Sequence, residues 1–100
     1  MPGTTRKLVT VLCEAGLETR LTEDVMRLGA HGYTVIDARG CGSRGVRSAG
    51  WDAAANIRLE VVCEERIAQQ IAEHLQKHYY DNFAMILFSV DVEVLRPEKF

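Results

Sequence analysis

The feature that most constrains this chain is that its apolar pattern is written twice. Residues 50 positions apart match in kind: Cys13-Glu14 with Cys63-Glu64, Leu21 with Ile71, Val25 with Leu75, and Tyr33 with Phe83. Each half reads strand, helix, strand, and a repeat of one supersecondary unit restricts the fold more than any single motif does. The first strand is expected over about Lys7–Glu14. A helix follows, carrying Leu17, Leu21, Val25 and Leu28 on one face at 3–4 spacing. Gly29 and Gly32 mark its end. A second strand covers Tyr33–Ala38. In a third, Asn56–Cys63, Ile57, Leu59 and Val61 alternate with Arg58 and Glu60, giving one buried and one wetter face. The second helix, Glu65–His78, turns Ile67, Ile71 and Leu75 inward, and a long last strand is expected from Phe83 to Leu95.

The order is βαββαβ, an α+β ferredoxin-like sandwich with two helices over one face of an antiparallel four-stranded sheet. The other face has nothing of its own chain to cover it. The last strand is nevertheless apolar on both sides at its start, with Ile86 and Phe88 on one and Met85 and Leu87 on the other. Apolar patches of that kind mark interfaces. A chain of 100 residues is one domain and has a thin stability margin on its own, so the open face is expected to be buried in a homo-oligomer.

Between the second and third strands runs Arg39-Gly40-Cys41-Gly42-Ser43-Arg44-Gly45-Val46-Arg47-Ser48-Ala49-Gly50. It holds three arginines, four glycines, two serines and no acid, in a chain whose formal net charge is −2. Guanidinium groups supply forked donors for phosphate or carboxylate oxygens, and glycine lets a backbone approach a ligand closely. Read from composition, the stretch is either an anion-holding loop or a soluble hairpin loop. Trp51, just beyond, is either a contact residue or an anchor for the loop stem.

The acidic balance argues against a general nucleic-acid or membrane-surface binder, and no nucleic-acid partner is expected. No apolar run approaches the ~20 residues of a membrane span, and no signal-peptide pattern opens the chain, so the expected location is the cytoplasm. Cys13, Cys41 and Cys63 are odd in number and widely spaced, which disfavours a disulfide framework or a zinc site. Cys13 and Cys63 read as inert core residues. Cys41, between glycines and near Arg44, is in a setting that lowers a thiol pKa. His74 and His78, four apart, read as a solvated polar face and not as metal ligands, since no third ligand accompanies them. Glu64-Glu65 charges the start of the second helix, and Asp91 and Glu93 face water or a subunit edge. No catalytic set and no metal site is expected.

With the loop in place, the chain resembles the PII-like signalling proteins, in particular the branch linked to bicarbonate transporters and carboxysomes. The resemblance rests on Gly32-Tyr33-Thr34-Val35, on Gly40 to Gly50 as the T-loop (about 39–55), on Ala55-Asn56-Ile57-Arg58-Leu59-Glu60, on Tyr79-Tyr80-Asp81-Asn82-Phe83-Ala84 and on Val92-Glu93-Val94-Leu95. It covers nearly the whole chain as a single PII-like domain, residues 1–100. It implies a homotrimer with nucleotide sites in the clefts between subunits. The ligands implied are adenine nucleotides (AMP, ADP, ATP or cyclic AMP) and bicarbonate, with no further cofactor. The implied role is regulation by binding, not turnover, with a bicarbonate transporter or a carboxysome-related protein as partner and recruiter. On this reading Arg44 and Arg47 neutralise phosphates, Gly42 and Ser43 donate hydrogen bonds, and Gly40 lets the chain turn beneath the anion. Thr34 and Ile36 line the adenine pocket, and Phe83, Ala84, Met85 and Ile86 close it through backbone contacts. Core packing is the competing reading of Ile36 and Ile86. Met85 stands where relatives often have glycine, so its side chain is expected to narrow the cleft.

The sequence also departs from the family pattern. The loop has no tyrosine to be uridylylated, the lysine-containing second phosphate loop is missing, and no cysteine follows Cys63 to form a paired-cysteine switch. Two other classes fit the same fold. One is a small enzyme of the acylphosphatase type, which needs a phosphate loop where this chain has the acidic Cys13-Glu14-Ala15-Gly16. The other is a non-catalytic trimeric adaptor.

Overall fold

β1 (Thr4–Glu14) lies between β3 (Asn56–Cys63) and β4 (Ile86–Val94), and β2 (Thr34–Ala38) adds outside β3. The order is β2-β3-β1-β4, with every neighbouring pair antiparallel. This is the βαββαβ sandwich the sequence implies. The computed structural model describes residues 3–39 and 55–100.

Strand periodicity decides which side of the sheet is dry. Val9, Val11 and Cys13 of β1 and Ile57, Leu59, Val61 and Cys63 of β3 point to one face and are buried. Helix α1 (Glu18–Arg27), preceded by a 3-10 turn over Ala15–Leu17, covers part of that face with Leu17, Leu21 and Val25. Helix α2 (Glu65–His78) covers the rest with Ile67, Ala68, Ile71 and Leu75. Each such side chain removed from water contributes roughly 1.5–3 kcal/mol. The repeat is visible here. Cys13 and Cys63 close equivalent strands, and Leu21 with Ile71 and Val25 with Leu75 occupy equivalent helix positions, all fully buried. The match ends at Tyr33 and Phe83: Tyr33 is exposed, whereas Phe83 packs against the core.

Two boundaries differ by three residues from the sequence reading, while the start of β2 and the end of β4 differ by one. β1 starts earlier, at Thr4, because Thr4–Lys7 pairs with Asp91–Val94 of β4. β4 starts later, at Ile86. The preceding residues form a turn in which the amides of Asn82 and Phe83 both donate to the Tyr79 carbonyl, each at 3.0 Å. Asp91 meets the Lys7 ammonium at 2.6 Å and Glu93 accepts from the Gly3 amide at 2.7 Å, so both acids tie strand ends together. Glu64 and Glu65 do stand at the start of α2, with Lys77 and His78 in its last turn, both matched to the helix dipole. No helix among the described residues is long and apolar enough to cross a membrane.

The open face carries Ile36, Ile86, Phe88 and Val90 at 44%, 54%, 46% and 49% exposure. Ile36 and Ile86 are therefore not packed into the core of the single chain. Met85, by contrast, is buried among the core residues.

α1 ends at Gly29, whose φ of +119° is unfavourable for a residue with a side chain. A Cβ placed there would lie 2.6 Å from Ile67 Cδ1, inside the α1–α2 contact. Gly29→Ala is expected to lower stability by about 1–3 kcal/mol, read as a lower urea midpoint with an unchanged slope.

Candidate functional site

The last β2–β3 pair is Ala38 with Asn56, and Asn56 also faces Glu14 at the end of β1. Directly paired antiparallel residues lie about 4.5–5.5 Å apart, so the arginine-rich stretch leaves and rejoins the sheet at nearly one point. The Ala15 amide donates to the Ala55 carbonyl at 2.7 Å and ties that point to the end of β1. Arg39, at the loop's start, is exposed. Gly40, Cys41, Gly42, Ser43, Arg44, Arg47 and Trp51 lie outside the described residues.

The remaining candidates fall into two groups. Thr34 and Ile36 stand on β2, both exposed. Phe83 and Ala84 are half-buried in the turn before β4, and Ile86 opens β4. The register places Ile36, Arg58, Leu12 and Ile86 in one row across the sheet. Both groups thus sit at the end of the sheet from which the loop emerges. They are nevertheless on opposite edges, three strand spacings or about 14 Å apart. One chain does not bring them together. Met85 is also corrected: its side chain turns into the core, so it does not narrow a surface cleft. Arg58 Nη2 and Glu60 Oε2 form an ion pair at 2.9 Å on the open face, between the β2 residues and Leu12.

A second polar cluster was missed by the sequence reading. It joins the two helices. Asp24 on α1 accepts from the Tyr79 hydroxyl at 2.5 Å, from His74 Nε2 at 3.0 Å and from Arg27 at 2.7 Å. The Arg20 guanidinium lies 4.5 Å above the Tyr79 ring and 5.9 Å from that of Phe83. The expectation of a solvated face at His74 is therefore wrong. Its side chain is 18% exposed and paired with Asp24, itself 15% exposed, while the His78 ring packs against it at 4.4 Å. Asp24 and His74 are 50 residues apart. They are the same position in the two halves, which meet where the helices pack.

The electrostatics follow from burial and these contacts. Burial disfavours charge on Asp24, but the hydrogen bonds from Tyr79, Arg27 and His74 outweigh it and hold the carboxyl below its ordinary value. Burial first, and then the bond to Asp24, raises the Tyr79 hydroxyl well above the phenol range. Burial pushes the Cys13 and Cys63 thiols to about 12 and about 11, as suits inert core residues. Among the described residues no group of three or more His, Cys, Asp or Glu is arranged to hold a metal ion.

With this geometry in view, the comparisons with known proteins agree with it. The chain belongs to the P-II family: the model described as nitrogen regulatory protein P-II matches residues 6–99. Its members are regulatory signalling proteins. A PII-like signalling protein from Thermus thermophilus is 47% identical, with 100% of this chain and 99% of that chain covered and a TM-score of 0.84. CPII from Thiomonas intermedia, solved with ADP, AMP and acetate, is 22% identical over 100% of this chain and 98% of that chain, with a TM-score of 0.84. The same CPII, described as a nitrogen regulatory PII-like protein and solved with ADP, AMP and bicarbonate, is 24% identical over 97% and 94%, with a TM-score of 0.82. At those identities CPII shares the fold.

Because folding lowers the Asp24 pKa, the stability it contributes is complete above the unfolded value of 3.8 and is lost as the pH falls through the lower folded value. The thermal midpoint of the wild type should exceed that of Asp24→Asn at pH 6, and the gap should close progressively below pH 3.8. Parallel midpoint curves over this range would contradict the assignment.

Proposed function

We propose that this chain is a non-catalytic regulatory subunit. It acts as a homotrimer that binds an adenine nucleotide, ADP or AMP foremost, with bicarbonate beside it, in the clefts between subunits. The observation that carries this reading is the separation of the two half-sites. Thr34 and Ile36 lie at one edge of the sheet, Phe83, Ala84 and Ile86 at the other, and all share the loop end. A pocket built from both groups needs two copies, the β2 edge of one against the β4 edge of the next. Head-to-tail contacts of this kind close into rings when the rotation permits. The exposed Ile36, Ile86, Phe88 and Val90 provide the apolar surface for such an interface.

In that cleft Arg44 and Arg47 neutralise the phosphates, Gly42 and Ser43 donate to them, and Gly40 lets the backbone turn beneath. Met85 contributes its backbone alone. The ligands proposed follow those solved with CPII, ADP, AMP and bicarbonate. A ligand that binds one arrangement of the loop better than another shifts the population toward it. A partner that reads the loop then senses adenylate state and inorganic carbon together. The role proposed is control of inorganic-carbon uptake or concentration in the cytoplasm, through a bicarbonate transporter or a carboxysome-related protein.

Two measurements test this. Arg44→Ala combined with Arg47→Ala should sediment as the wild type does, yet bind ADP at least about tenfold more weakly by calorimetry, since each charged hydrogen bond contributes about 1.5–3 kcal/mol. Unchanged affinity would remove both arginines from the site. Phe88→Glu places a charge on the open face. It should convert the trimer to monomers in sedimentation velocity and abolish ADP binding, whereas a monomer that still binds ADP would sink the shared-cleft reading.

A further inference from the structure

We infer that Tyr79, Asp24 and Arg20 are positioning residues for the turn at 80–85, and so for the adenylate affinity of the cleft, although none of them needs to touch the ligand. This rests on the proposed nucleotide site. Tyr79 is the C-cap of α2 and is fully buried. Its amide closes the helix on the Leu75 carbonyl at 2.9 Å, and its own carbonyl receives the amides of Asn82 and Phe83. Apart from the Tyr80 amide, which donates to the Leu75 carbonyl at 3.2 Å, the main-chain bonds of this turn converge on Tyr79. That residue is held from three sides. Its hydroxyl donates to Asp24, its ring lies under Arg20, and Phe83 packs beside it with centroids 6.0 Å apart. Asp24 is fixed in turn by His74 on α2 and Arg27 on α1.

Two of these groups carry a desolvation cost, offset by their hydrogen bonds, that simple apolar packing would not have. A buried hydroxyl and a nearly buried carboxylate each lose hydration. A phenylalanine at the same place, facing an apolar residue, would fill the core without that loss. The polar pair gives the turn a defined position, since the Tyr79 side chain cannot swing away from α1 without breaking its bond to Asp24. Arg20 extends the clamp to Phe83, one of the residues assigned to the cleft. When the binding-competent arrangement is only partly populated, apparent affinity falls in proportion. Removing the clamp should therefore weaken ligand binding without removing a ligand contact.

The test uses the full chain as its trimer. Tyr79→Phe keeps the ring and deletes the hydroxyl, and Arg20→Ala removes the overlying cation at an exposed position. Both should sediment as the wild type does and bind ADP roughly three- to tenfold more weakly at 10 °C, far below the melting transition. In the unliganded variants the amides of Asn82 and Phe83 should exchange hydrogen at least about threefold faster, with core strand amides unchanged. Arg20→Lys, which keeps a cation over the ring, should recover most of the affinity, a rescue that a general loss of stability would not show. Wild-type affinity together with wild-type exchange at Asn82 and Phe83 in both alanine and phenylalanine variants overturns the inference. A wild-type chain that binds no adenylate overturns the nucleotide reading instead, and this inference with it. The two failures are thus told apart by the wild-type measurement.

Discussion

The antiparallel pairing of β1 with β3 fixes everything that follows. Val11 faces Leu59, Val9 faces Val61 and Cys13 faces Ile57, so one register places a continuous apolar face under both helices. A slip of β3 by one residue against β1 would turn Ile57, Leu59 and Val61 outward and bring Arg58 and Glu60 against the helices. The native register also aligns Arg58 with Leu12, and the β2–β3 and β1–β4 pairings extend the row to Ile36 and Ile86. Core and open face are thus built outward from the central alignment.

Much of the fold was legible because strand and helix periods are local. β3 and α2 fall at the expected residues, Asn56–Cys63 and Glu65–His78. The boundaries that were misplaced depend on partners. Nothing in Thr4 to Arg6 marks a strand until Val92–Val94 lies beside it. Phe83 looks like the start of a strand because it is aromatic and followed by apolar residues, but the Tyr79 carbonyl captures its amide and that of Asn82. Tertiary hydrogen bonding overrides the pattern there.

Glycine and arginine between two paired strands allow an anion-holding loop or a soluble hairpin loop, and that stretch lies outside the described residues. The arrangement of the remaining candidates was less legible. Whether Ile36 and Ile86 are core or surface needs the sheet, because an apolar residue on a strand reads alike on either face. Met85 and Ile86 show this most plainly: they are neighbours in sequence, and one is buried while the other is open. The Asp24 cluster was hidden for a different reason. A charged residue on a helix usually belongs to the wet side, and that Asp24 and His74, at equivalent places in the two halves, meet is seen only once the helices are packed.

A small sandwich leaves one sheet face bare. The helices protect one side through Leu21, Val25, Ile71 and Leu75, while the other side presents Ile86, Phe88 and Val90 to whatever covers it. On the proposed reading the cover is a second copy, and the seam between copies is also where ligand binds. Ligand binding and assembly are then linked: a molecule that contacts both subunits stabilises their contact by the same free energy with which assembly favours the ligand. The loop leaves the sheet at Ala38 and rejoins it at Asn56, two residues along β2 and β3 from Ile36 and Arg58 of the row that ends at Ile86. On that same reading, a change of occupant in the seam acts close to the point where the loop joins the sheet, which suits regulation by binding.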